Sequence, residues 1–178
     1  MRKLLLFAIV IACMVSCKGP KTTEIAIEDF NGKAAGFVDQ NVTIKGIAKH
    51  ICQGSGRKLF LANPETTQAL VTVFTNENME PFDKTSAGKT YIVNGIVKVT
   101  EVIDEAYLDE WERQVAEQGV KEGTHICSTE QQAAGIEISE QEENPQMKQI
   151  AAYREKIAAN NGQPIINYHV ECTSFTME

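Results

Sequence analysis

The chain has 178 residues, 24 acidic against 17 basic, and a net charge of −7. An acidic chain of this kind lacks the basic footprint from which phosphate-backbone recognition draws most of its energy, so nucleic acid is excluded as an expected partner. Its length suits one domain with its own core, preceded by a leader.

The leader opens with Met1-Arg2-Lys3, a short positive start, and Leu4 to Val15 then runs without a charge. This is the charged and then apolar pattern of a secretory signal, and it is too short to span a bilayer as a helix. It ends in Met14-Val15-Ser16-Cys17, with an apolar and a small residue before cysteine. That ending resembles the lipobox of bacterial lipoproteins, with Met14 where the family usually has Leu. The resemblance implies a signal peptide over residues 1–16, cleavage before Cys17, and a diacylglyceride and an N-acyl chain such as palmitate on Cys17. A lipid anchor of this sort is strong because each buried methylene contributes about 0.8 kcal/mol. Lys18 after the cysteine, in place of a retaining Asp, points to the outer membrane of a bacterial cell envelope. Loss of Arg2 and Lys3 takes the charge from −7 to −9. Residues 17–35 are expected as lipidated cysteine and tether, since Lys18 to Glu24 is polar and contains Gly19 and Pro20. Residues 36–178 are expected to fold.

Within that domain, Val42 to Ile51 alternates apolar and polar residues and slips phase at Gly46, which predicts a strand with a bulge or sharp bend. Gly54-Ser55-Gly56 reads as a turn into a second strand, Lys58 to Leu61. Leu70 to Phe74 reads as a third strand and Tyr91 to Val99 as a fourth, which echoes the first in carrying Gly95. A helix follows, capped by Asp104, with Leu108, Trp111 and Val115 on one side and Gly119 as its stop. After a polar loop from Val120 to Glu143, Asn144-Pro145 starts a second helix that Asn161-Gly162 ends. Its apolar stripe is Met147, Ile150, Tyr153 and Ile157. Ile165 to Cys172 reads as the fifth strand.

Five strands, the first and fourth bent at glycine, with a two-helix insertion at about 101–163, resemble an OB-fold barrel of the kind found in small envelope lipoproteins. The residues that carry this resemblance are Val42 to Leu61, Leu70 to Phe74, Thr90 to Val99 and Pro164 to Ser174. The expected fold class is therefore a β-rich α+β chain built on a five-stranded OB-like barrel, with a β-sandwich or α+β meander as alternatives. The family's helix between strands three and four is missing here, or reduced to Met79 to Lys84.

Once Cys13 is cleaved off and Cys17 is lipidated, Cys52, Cys127 and Cys172 remain, and each of the three histidines lies beside one of them. His50-Ile51-Cys52 and His125-Ile126-Cys127 are the same tripeptide. In extended backbone, residues two apart share a face, so each pair can present N and S together, the donor set of zinc and copper. The resemblance brings the loops after strands one and four to one binding face, where the two pairs can converge. The competing reading is a disulfide, Cys52 with Cys127 or else with Cys172, as expected in an oxidising envelope. A third reading has the thiols free and buried as small hydrophobes. His169 and Cys172 fall on opposite strand faces, one of them inward. Gly54, Ser55, Gly56, Arg57 and Lys58 form a candidate ligand loop, read either as an anion cradle or as a plain hairpin turn.

The leading functional expectation is a non-catalytic binding or interaction module on a lipid tether, taking an envelope protein, peptide or glycan. A metal-binding or thiol-redox protein using His50, Cys52, His125 and Cys127 is the alternative, and an envelope enzyme the third.

Overall fold

The computed structural model describes residues 22–66, 69–118 and 144–178. Cys17, the leader, Gly119 and the polar loop with His125 and Cys127 lie outside them.

The chain enters through a short strand, β1 (Thr23–Glu24), and a helix, α1 (Ile27–Lys33). The fold thus begins earlier than residue 36, and the stretch expected to be tether up to residue 35 is partly core. Ile25, Ile27, Phe30 and Ala34 are all buried in the main core. The last three recur at helical spacing, and burying them is what anchors so short a helix.

Strand β2 (Asn41–Ile51) follows, then β3 (Lys58–Ala62), β4 (Leu70–Thr75) and β5 (Thr90–Ile103). Among the described residues two helices come next, α2 (Glu105–Gln118) and α3 (Pro145–Ala159), and the described chain ends in β6 (Ile165–Met177). The strand order is β1-β2-β3-β4-β6-β5, and β2 pairs again with β5. Strands β2 to β6 therefore close into a five-stranded barrel, with β1 outside it in parallel pairing with β2. All barrel pairings are antiparallel except β4 with β6, which run parallel. This is the five-stranded OB-like barrel expected from the sequence. The last strand pairs with both β4 and β5, which a β-meander does not require. The link between β4 and β5 holds only a 3₁₀ turn, Lys84–Ser86, and contributes Phe82 to the core.

Gly46 and Gly95 sit where the strands bend, as expected, and Gly95 also adjoins a register shift with β6. Strand β2 pairs with β5 up to Ile47 and with β3 from Ile47 onward, so it changes partner next to Gly46. A Cβ at Gly46 would lie 2.4 Å from Ile27 Cδ1 and 2.9 Å from the Ala62 carbonyl oxygen. At Gly95 a Cβ would lie 2.4 Å from the Glu171 carbonyl oxygen. Both glycines let other chain segments approach where the barrel wall curves. The register shifts fall nearby, between Ala48 and His50 in β2 and at Asn94/Gly95 and Val99/Glu101 in β5.

The helices make a second core. Leu108, Trp111 and Val115 of α2 meet Ile150, Tyr153 and Ile157 of α3, together with Ile103 and Ile165 from the strand ends. The caps are the expected ones: the Tyr107 amide donates to Asp104 Oδ1 at 2.8 Å, and the Gln146 amide to Asn144 Oδ1 at 3.0 Å. Asn161 and Gly162, both at positive φ, end α3. Strands β5 and β6 extend past the barrel as a two-stranded ribbon, and its far pairs, Val102 with Ile166 and Ile103 with Ile165, carry this helical hairpin.

Candidate functional site

The outward face of β3 and β4 is where an OB barrel binds its ligands, flanked by the loop after its first strand and by the connection before its last. In this chain those are the loop Cys52 to Arg57 and the segment carrying α2 and α3. Leu59, Leu61, Val71 and Val73 point into the barrel, so alternation turns Lys58, Phe60, Thr72 and Phe74 outward. Lys58 and Phe74 are opposite each other in the ladder, with the Lys58 ammonium 5.1 Å from the Phe74 ring centroid. From β6, His169 sets its ring edge-on to Phe74 at 4.7 Å. The result is an outward row of Lys58, Phe74 and His169 across three strands, each half-buried. Phe60 also takes the outer side, yet it is only 1% exposed, with the His50 ring 5.9 Å away. Sequence alternation had all these positions within reach, but it could not say that β6 would lie against β4 and bring His169 to Phe74.

The His-x-Cys reading meets the structure in part. His50 is the last residue but one of β2, on the outer side, between Lys49, the extra residue at the register shift, and Ile51, which is in the core. Cys52 lies one residue beyond the strand, half-buried, with no disulfide to a described cysteine. Its thiol is held below the ordinary thiol value. The Ser55 amide is the main cause, the Gly54 amide, Ser55 hydroxyl and Lys58 charge add to it, and burial opposes it. His125 and Cys127 lie outside the described residues, so the convergence of the two pairs and the Cys52–Cys127 disulfide stay as expectations. Among the described residues, no three His, Cys, Asp or Glu side chains group as a metal site.

The second disulfide option, Cys52 with Cys172, does not form. Cys172 is free and wholly buried in the barrel core, and burial pushes its thiol up to about 11. Its Sγ donates weakly to the Ser174 carbonyl at 3.5 Å. As the parity of β6 implies, Cys172 takes the inside and His169 the outside.

The loop Gly54 to Lys58 is a tight turn bound up in its own contacts. The Gly56 amide, at φ +67°, donates to the Cys52 carbonyl, and the Arg57 amide donates to Ser55 Oγ. Arg57 Nη1 donates to Thr75 Oγ1 and to the carbonyls of Asn76 and Met79. Lys84 reaches the carbonyls of Gln53 and Gly54 from the opposite side. Two amides that an anion cradle needs are thus committed to bonds within the loop, and the guanidinium to fastening it to the end of β4 and the β4–β5 link, which favours the hairpin-turn reading. Beside it, Thr75 to Asn78 and Glu171 line a shallow polar depression of about 370 Å³.

No protein-family model and no curated protein matches the chain. Solved structures similar to it include the asparaginyl-tRNA synthetase of Entamoeba histolytica with asparaginyl-adenylate, at 14% identity over 89% of this chain and a TM-score of 0.37. The telomere capping protein Ten1 from Saccharomyces pombe is 13% identical over 56% of this chain and 98% of its own, with a TM-score of 0.34. The aspartyl-tRNA synthetase of Entamoeba histolytica is 14% identical over 82% of this chain, with a TM-score of 0.33. The chain spans 24% of the first synthetase and 38% of the second. These likenesses carry no functional argument, and the OB-like assignment stands on the strand order and register above.

Proposed function

We propose that this protein is a lipid-anchored lipoprotein of the bacterial envelope whose OB-like barrel is a non-catalytic binding module. Its ligand is an envelope protein, a peptide or a glycan. The observation that carries the binding role is the barrel itself, with the outward row Lys58, Phe74 and His169 on its β3–β4 side. An aromatic ring between two nitrogen-bearing side chains offers apolar area and polar contacts together, which suits sugar rings and peptide groups. The anchor rests on Met1 to Cys17.

Binding of the full protein to arrays of oligosaccharides and short peptides tests the module. A ligand whose affinity falls about tenfold or more with Phe74→Ala, equivalent to about 1.4 kcal/mol, is the expected outcome. A ligand indifferent to that change would move the binding face elsewhere. For the anchor, Cys17→Ala should abolish incorporation of labelled palmitate and release the protein from membranes.

The lowered thiol value at Cys52 keeps a second reading in view, a zinc, copper or thiol-redox protein using His50, Cys52, His125 and Cys127. Metal content and free-thiol counts on the purified protein decide it. Stoichiometric metal lost on Cys127→Ala supports this reading, and one free thiol without metal overturns it.

A further inference from the structure

The ribbon that joins barrel to helical hairpin carries a histidine at its root. His169 is the ladder partner of Lys98, and the register shift just beyond leaves Thr100 as an extra residue on β5. A bulge re-aims the side chain of its extra residue, and here Thr100 Oγ1 lies 2.9 Å from His169 Nδ1. The other side of the imidazole packs edge-on against Phe74. Past this point β5 and β6 hold the hairpin through Glu101, which accepts from the Tyr107 hydroxyl at 2.7 Å and from Asn167 at 3.0 Å, and through Ile103 and Ile165. His169 is therefore where contacts to the barrel wall and contacts across the ribbon meet.

We propose that this joint is acid-labile: proton uptake by His169 loosens the ribbon through which the barrel holds the helical hairpin. The charged groups around the ring set the direction. Lys98 on β5 and Lys58 on β3 both oppose a cation there, Glu171 on β6 favours one, and β4 presents the uncharged Phe74. Part of Lys98's charge is offset by Asp39, 2.7 Å away. Burial is the largest influence, and with the two lysines it holds His169 below the ordinary imidazole value. A group with a lowered value in the closed form takes its proton more readily when the ribbon opens. Opening is thus favoured as pH falls below about 6.5, and the effect vanishes above it. The gain in the opening equilibrium at about pH 5.5 is bounded at about tenfold, the case in which the closed form does not titrate at all.

Hydrogen exchange on the full protein at about pH 7.5 and about pH 5.5, corrected for intrinsic rates, reads the effect directly. The amides of residues 98–103 and 165–169 should lose protection by roughly threefold to tenfold in acid, within that bound, while β3 holds. In His169→Gln, which keeps a polar side chain and cannot titrate, this difference should disappear. An equal acid response in that variant overturns the proposal, as does an unchanged wild-type ribbon. Should the variant fail to fold, the His169 ring resonance of the wild-type protein is titrated by NMR. A midpoint below about 6.5 that tracks the exchange change supports the proposal, and a midpoint at or above it overturns the proposal.

Discussion

The barrel and the helical hairpin are two cores built on opposite plans. In the barrel, inward residues from five strands and α1 meet around Phe30, Tyr91 and Val170, and its closure joins strands far apart in sequence. Polar contacts inside it are few, the Ser86–Tyr91 hydroxyl pair being one. Among the described residues the hairpin buries far fewer side chains and adds polar ties: Trp111 Nε1 donates to the buried Gln146 Oε1 at 2.8 Å, and Arg154 bridges to Glu105, Asp109 and Glu112. Apolar area sets the strength of the first, while the second depends more on direction and geometry. The hairpin is therefore expected to open before the barrel does.

Four substitutions probe that contrast. Gly95→Ala should have the largest effect, about 3 kcal/mol or more in urea unfolding, because the new methyl meets the Glu171 carbonyl and Val170 inside the wall. Barrel and hairpin should lose stability together, since β5 and β6 carry both. Leu108→Ala comes next, at about 2–4 kcal/mol. Here exchange should rise in α2 and α3 and stay slow in β2 to β4, and equal loosening of the barrel would make the two cores one unit. Trp111→Phe removes the bond to Gln146, for about 1–2 kcal/mol, again confined to the hairpin. A double-mutant cycle with Gln146→Leu measures the coupling. Arg154→Gln should cost least, about 0.5 kcal/mol, and the cost should fade in high salt, because the partners are exposed.

How much of this was legible beforehand differs between the two regions. Alternation revealed all five barrel strands, since one face of each is core and the other is not, and their order followed from the resemblance. It stopped short at Val99, where the ribbon begins and leaves Val102 exposed, and at Cys172, beyond which β6 pairs on with Tyr91 to Asn94 through the exposed polar residues Thr173, Ser174 and Thr176. The helices were legible from their caps and stripes. The opening helix was not legible, although Ile27, Phe30 and Ala34 recur at helical spacing, because a seven-residue helix containing Gly32 is too short to hold by propensity and forms only against the barrel core. The outward row was not legible for another reason: Lys58 and Phe74 meet across the β3–β4 ladder, but His169, about a hundred residues further on, joins them only through the parallel β4–β6 pairing. His50 and Cys52 stood out as a pair in the sequence, whereas the contacts that tune the thiol come from Ser55, Gly54 and Lys58.

That parallel pairing also bears on timing. Strand β6 seals the barrel between β4 and β5, and it is the last element of the described chain. Until those residues have been synthesised, β4 and β5 keep unpaired edges, and the core cannot shut even though β2, β3 and β4 already form a meander. The native barrel is therefore reached only after β6 itself has been synthesised. A nascent or prematurely ended chain presents two sticky strands to whatever chaperone or neighbour is at hand.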